Sequence, residues 1–358
     1  MTERMRELTD KLITGHSLEE NEYRELICLR DEESALILQK EAVRLRKKFY
    51  GDKVFIRGLI EVSNICKNDC YYCGIRKSNR LCDRYRLTKE ETLSCCRDGY
   101  ALGFRTFVMQ GGEDGAFSDE FLCDVIREIK VLYPDCAVTL SLGERSRKSY
   151  EKLYEAGADR YLLRHETADS EHYARLHPKN LTLGNRMECL RNLKEIGFQT
   201  GCGFMVGSPF QTSECLAKDL KFIEDFKPDM VGIGPFIPHK DTPFRDYPAG
   251  STELTCFLLS VIRIIHPPVL LPSTTALGSL EKGGREKGII HGANVIMPNL
   301  SPTDVRSKYM LYNNKLSTGA ESAQKLEELK KLIRGIGYEI VYERGDFMNA
   351  ECKMQNAE

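Results

Sequence analysis

Eight short β-rich runs, each followed by an amphipathic stretch, constrain this chain more than any other feature of its sequence. The runs are Val54–Ile60, Thr106–Gln110, Ala137–Leu142, Arg160–Arg164, Thr200–Val206, Met230–Gly234, Val269–Pro272 and Asn294–Met297. The periodicity predicts helices over Lys89–Leu102, Asp119–Leu132, Arg147–Ala156, Leu183–Ile196, Thr212–Phe226, Glu253–Ile265 and Leu280–His291, with Glu321–Ile336 closing the series. Gly103, Gly157 and Gly197 fall at helix ends, where a left-handed stop suits glycine. Strands and helices alternating in this number predict an α/β fold, a (β/α)8 barrel of the TIM type. An open doubly wound sheet, the alternative, typically has about six strands. Before the first run the sequence predicts helices over Thr2–Thr14, from Ser17 with Glu20 as a capping box, and over Glu32–Phe49. The expected organisation is an N-terminal helical extension (1–50), the barrel (51–312), and a C-terminal helix and tail closing it (313–358). No linker is long enough to separate independent domains.

Composition excludes several classes of protein. The 358 residues are 41% hydrophobic and 29% charged, with a formal net charge of -1 and both signs interleaved. No Lys/Arg-rich stripe suggests nucleic acid. The first residues lack the apolar core of a signal peptide. The most apolar stretch, Cys256–Leu271, is interrupted by Arg263, His266, Pro267 and Pro268, which argues against a membrane span. Without a leader, the 14 cysteines read as thiols, and the expected compartment is a reducing cytoplasm.

Three of those cysteines share one loop, Cys66, Cys70 and Cys73, in a C-x3-C-x2-C run directly after the first strand. A structural zinc site closes with four ligands, usually in two separated pairs. Three thiolates on a four-iron cubane leave one iron open to a small exchangeable ligand. The segment resembles the cluster loop of the radical S-adenosylmethionine (SAM) enzymes, including the aromatic Tyr72 before the last cysteine. The alternatives are a zinc- or iron-binding scaffold without catalysis and three buried free cysteines.

Barrel active sites gather at the C-terminal ends of the strands, and the next candidates lie there. Gln110–Asp114 follows the second strand, with Gly111 and Gly112 allowing close backbone approach and Glu113 suited to an ammonium group. In this position it resembles the radical-SAM motif for the methionine amine. Strand parity puts Thr139 and Ser141 on the lumen face, and likewise Arg160, Leu162, Arg164 and Glu166, opposite Tyr161, Leu163 and His165. Arg164 and Glu166 thus aim opposite charges at the mouth, as a salt bridge or as ligand contacts. Arg186 opens a helix, where a guanidinium can hold a carboxylate. Gly201–Gly207 resembles the family's adenine-covering strand. His165, His172, Cys202 and the cysteines on helical or terminal segments have no metal-ligand spacing and read as packing residues.

Longer strings narrow the resemblance: Arg57–Asn64, Thr139–Gly143, Tyr161–Ala168, Met230–His239, Ser273–Ala276 and Ala293–Asn299. From about residue 50 to about residue 312 the chain resembles the HydE family, the radical-SAM maturases of FeFe hydrogenases. Methylornithine synthase and biotin synthase match these strings far less well, and a methylornithine-type mutase is the rival activity. The resemblance implies SAM contacts at Ser141, Glu166, Arg186 and Tyr309, with Glu166 toward the ribose. It implies a lumen pocket for small anionic, sulfur-containing ligands at Arg164, Thr274, Thr275, Met297 and Tyr312. It further implies one 4Fe-4S cluster, SAM, a reducing electron donor, the sister maturases HydG and HydF as partners, and a cysteine-bound iron carbonyl cyanide substrate. Some family members carry a second cluster on three C-terminal cysteines; here only Cys352 stands beyond Tyr309, so activity is expected to need the first cluster alone.

Overall fold

Helices come first in the chain: α1 (Glu3–Gly15), α2 (Glu20–Leu29) and α3 (Glu32–Tyr50). The computed structural model describes residues 1–316 and 322–348. Side chains satisfy the free N–H groups of each first turn: Thr2 accepts from Met5 N, and Asp31 from Ser34 N. At α2 the capping box is Glu19 with Glu22, not the expected Ser17 with Glu20. Ser17 is drawn away because its hydroxyl donates to Glu224 at 2.8 Å.

The barrel proper runs β1 (Lys53–Ile56), β2 (Gly58–Ser63), α4 (Lys89–Ala101), β3 (Thr106–Gly111), α5 (Asp119–Leu132), β4 (Ala137–Ser141), α6 (Arg147–Glu155) and β5 (Arg160–Leu162). It continues through α7 (Ser170–Leu176), α8 (Leu183–Ile196), β6 (Gln199–Cys202), β7 (Met205–Val206), α9 (Ser213–Phe226), β8 (Met230–Val231), β9 (Gly234–Pro235) and α10 (Thr252–Ile265). Then follow α11 (Thr275–Leu280), α12 (Gly284–Ile290), β10 (Val295–Ile296), α13 (Thr303–Arg306), α14 (Leu326–Gly335) and β11 (Glu339–Val341).

Six strands pair in the order β2-β3-β4-β5-β6-β8, all parallel. The circle closes through single parallel bridges, Met230 to Leu270, Pro272 to Val295 and Leu59 to Asn299, and through the pairing of β1 with β10. This is the (β/α)8 barrel, with the seventh run supplying bridges rather than a full strand. Outward-facing Ile60, Phe107, Val138, Leu140 and Tyr161 share one core with the apolar faces of α1–α3 and of the barrel helices.

Further expectations need correction, among them the runs Thr200–Val206 and Met230–Gly234, which divide into β6 and β7 and into β8 and β9. The single strand Val54–Ile60 is two, because β1 divides its hydrogen bonds between β10 and the C-terminal β11 while β2 pairs with β3. The helix Leu280–His291 is also two, α11 and α12, separated where Gly283 adopts φ 80. α7, opened by Asp169 accepting from His172 N, is an element the periodicity did not predict. The closing helix starts at Leu326 after a 3-10 turn (Ala323–Lys325), and its expected first residue, Glu321, lies outside the described residues, as does Cys352.

The chain after β11 crosses the N-terminal end of the barrel and seals it. Arg160, wholly buried at the start of β5, donates to Gln199 Oε1, Thr106 Oγ1, the Arg344 carbonyl and Asp346. Arg344 in turn bonds Asp159 and Asp346. A buried guanidinium is tolerated only when paired and hydrogen-bonded, and the C-terminal segment supplies both. Burial pushes the Asp346 carboxyl up, but the Arg344 hydrogen bond and the Arg160 charge hold it well below the usual carboxylate range. Asp346→Ala is expected to cost about 2 kcal/mol in urea unfolding, less than a fully buried pair because the carboxylate is part-exposed. Since the folded-state pKa is depressed, that difference is present above about pH 4 and closes as the pH falls further.

Candidate active site

At Ser63 β2 ends, and the loop beyond it places Cys66, Cys70 and Cys73, all half-buried, at the C-terminal mouth of the barrel. The loop is fastened by its backbone to several parts of that mouth. Lys67 N donates to Glu113 O (3.0 Å), Tyr71 N to Leu176 O (3.0 Å) and Gly74 N to Leu311 O (2.8 Å). Asp69 folds back to accept from Arg76 Nε and Ser78 N. Tyr72 donates its hydroxyl to His177 Nε2 at 3.2 Å, since His177 Nδ1 faces the Tyr173 carbonyl.

Burial raises all three thiols: Cys66 upward, Cys73 to about 12, and Cys70 well above the ordinary value, with neighbouring sulfurs adding to the shift in Cys70 and Cys73. Metal-free, they are protonated at neutral pH, so metal loading must release protons. Among the described residues no three His, Cys, Asp or Glu side chains converge on one point as a single ion requires. A cubane asks for a wider arrangement, one thiolate per iron, and three thiols on one loop fit that demand.

Gly112 lies flat against the cysteine loop. Its N–H donates to Ser63 O at 3.0 Å, and a Cβ there would collide with the Ile65 carbonyl and come within 2.8 Å of Cys66 Cβ. The Glu113 carboxylate is engaged, 3.1 Å from Lys67 Nζ and accepting Glu144 N–H at 3.0 Å. It ties the second loop to the first and third. Asp114, which the motif reading passed over, accepts both Arg86 nitrogens and the Ser63 hydroxyl.

Below the mouth the strand parity of the sequence is realised. Tyr161 and His165 face outward, the latter onto Asp219 of α9. Arg164 Nη2 and Glu166 Oε2 approach to 3.1 Å, yet neither atom makes a hydrogen bond among the described residues. The same holds for Arg164 Nε, Thr139 Oγ1 and Thr274 Oγ1, all buried. Buried polar atoms without a hydrogen bond are uncommon in folded proteins, and these five keep hydrogen-bonding capacity toward a polar group in the lumen. Glu166 also holds φ 66, a left-handed backbone uncommon outside glycine and concentrated at functional sites.

Arg186, at the start of α8, donates to Glu144 Oε1 (2.6 Å) and to the Arg164 carbonyl (2.5 Å). The carboxylate it holds is thus the protein's own. Ser141 stands opposite Gln110 in the β3–β4 register, and Gln110 donates to the Tyr309 hydroxyl at 3.3 Å. Thr275 opens α11, Met297 packs beside Met230 and Leu270, and Tyr312 is half-buried near the mouth.

The sequence reading also missed Glu61, fully buried with lumen parity, which pairs with Lys315 at 2.6 Å and accepts from Asn299. An acid inside an otherwise apolar strand was the available signal. Cys202 is buried in the core, as are Cys95, Cys96, Cys123, Cys136, Cys189, Cys215 and Cys256.

The family model of the Radical SAM superfamily matches residues 60–223, the stretch that carries the cysteine loop, Gly111–Glu113, Glu166 and Arg186. Fold and site together define a radical-SAM enzyme, a class that binds a 4Fe-4S cluster and SAM. The FeFe hydrogenase maturase subunit HydE of Thermotoga maritima is 43% identical over 314 residues, spanning 88% of this chain and 89% of that one. The chain belongs to the HydE family. Among solved structures, methylornithine synthase (PylB) superposes with a TM-score of 0.81 at 25% identity, over 93% of this chain and 97% of that one. The maturase HydG superposes with a TM-score of 0.78 at 21% identity, over 99% and 78% respectively, a likeness of fold.

Gly112→Ala is expected to lose iron before it loses fold. Iron per chain after anaerobic reconstitution should drop while the thermal melt moves little. Gly115→Ala, where an added Cβ meets nothing within 4 Å, is the control that keeps its iron.

Proposed function

We propose that this protein takes part in maturing an FeFe hydrogenase, cleaving SAM reductively and turning the resulting radical on a small sulfur-containing iron complex in the barrel. The observation that carries the reading is the set of buried atoms without a hydrogen bond on Arg164, Glu166, Thr139 and Thr274 beneath a three-thiol loop. When bound, the cluster would supply one electron to SAM, whose S–C5' bond would break to release methionine and a 5'-deoxyadenosyl radical.

In this reading Cys66, Cys70 and Cys73 hold three irons. The Gly111–Glu113 turn receives the methionine amine, and Ser141, Glu166, Arg186 and Tyr309 position the rest of SAM. Arg164, Thr274, Thr275, Met297 and Tyr312 line the substrate pocket, where a guanidinium with hydroxyls suits a carboxylate or cyanide. The sealed floor keeps water from the lumen, the protein's share of radical chemistry being to bind, orient and exclude. The substrate is the cysteine-bound iron carbonyl cyanide complex supplied by HydG, the product passes toward HydF, and the reactions run in a reducing cytoplasm. No helix among the described residues is long and apolar enough to cross a membrane.

Anaerobic incubation with SAM, a reductant and the HydG product is expected to consume SAM and give a new iron-centred EPR signal. Turnover of a free amino acid without that complex would favour the methylornithine-type mutase. Reconstituted protein should hold about four irons per chain, one cubane. Cys66→Ser should abolish cluster absorbance and SAM cleavage together; cleavage at the parent rate would sink the assignment. Glu166→Ala should weaken SAM binding at equilibrium with iron content unchanged.

A further inference from the structure

His165 lies between Arg164 and Glu166 in sequence, yet its ring is fully buried on the opposite side of the strand. Its Nδ1 accepts the Gly203 N–H at 3.2 Å. That fixes the tautomer: the ring proton sits on Nε2 and is donated to Asp219 Oδ1, 3.2 Å away. The same carboxylate oxygen accepts the Ala168 N–H at 2.6 Å. Glu166 holds the other side of the same glycine, donating its N–H to the Gly203 carbonyl at 3.0 Å. The segment 164–168 is therefore fastened to Gly203, just after β6, and to α9 by one imidazole and one carboxylate, with left-handed Glu166 in its middle.

Core filling does not require this arrangement. Phe204 and Phe222 already surround the ring, and an apolar side chain of the same shape would pack there without the cost of burying polar groups. Asp219 Oδ2 is left without a partner among the described residues, so the pair is not arranged for maximum stability either. What the two side chains achieve is direction. They hold Gly203 and Ala168 around Glu166, past the end of β5, where its carboxylate turns to Arg164.

We infer that His165 and Asp219 are positioning residues for SAM, acting through Glu166; this rests on the assignment of Glu166 to SAM made above. Both are buried on the side away from the lumen. The test is equilibrium SAM binding to the reconstituted protein, read beside iron content and the thermal melt. His165→Phe keeps the ring's volume and loses both links. Its iron per chain should match the parent, and its SAM dissociation constant should rise roughly tenfold, as for other supporting-shell losses.

Combined with Glu166→Ala, it should add little further loss, because both changes remove the same contact. His165→Asn, which retains an acceptor toward Gly203, should recover some of the affinity. Unchanged SAM binding in His165→Phe, with Glu166→Ala weakened, would overturn the inference and leave the site assignment standing. Fully additive losses in the double variant, or a loss of iron and melting temperature with affinity per folded molecule intact, would also overturn it. Unchanged SAM binding in Glu166→Ala would bring down the assignment and this inference together.

Discussion

A charge facing the inside of a closed barrel has little water to solvate it and must find a partner within the fold. That constraint orders this molecule from floor to mouth. At the floor, Arg160 is answered by Asp346, Thr106 and Gln199, which requires the C-terminal segment to run under the barrel. Near the mouth, Glu61 is answered by Lys315 and Asn299, which draws the chain after Tyr309 across the first strand. Beyond the end of β5, Arg164 and Glu166 meet at 3.1 Å without aligned hydrogen bonds. The first two charges are settled within the fold, whereas the Arg164–Glu166 pair keeps hydrogen-bonding capacity to spare.

The mouth is held together by a chain of polar contacts that runs across neighbouring barrel strands. Lys67 in the cysteine loop pairs with Glu113, Glu113 accepts from Glu144 N, Glu144 pairs with Arg186, and Arg186 donates to the Arg164 carbonyl. The links tie the loop after one strand to the loop or helix after the next. The cysteine loop and the lumen charges therefore belong to one connected set of contacts. Such preorganisation suits a reaction whose reactive species must meet one substrate atom and no other.

PylB and HydG share the barrel while carrying different names and chemistries. A common scaffold with separate activities is the usual behaviour of this architecture, in which function resides in side chains at strand ends.

The alternation of β-rich runs and amphipathic stretches was enough to read a (β/α)8 barrel, because each strand's outward face must be apolar and each helix must cover it. Spacing alone marked Cys66, Cys70 and Cys73, since three thiolates from one loop suit few other purposes. A two-residue period sorted Arg164 and Glu166 from His165. The tertiary structure decided what periodicity does not encode. It split the first strand between β10 and β11, committed Glu113 and Arg186 to partners on other loops, and joined Glu61 to Lys315 and His165 to Asp219. Those contacts link residues far apart in sequence, and a local pattern carries no information about which distant charge a closed barrel will bring alongside.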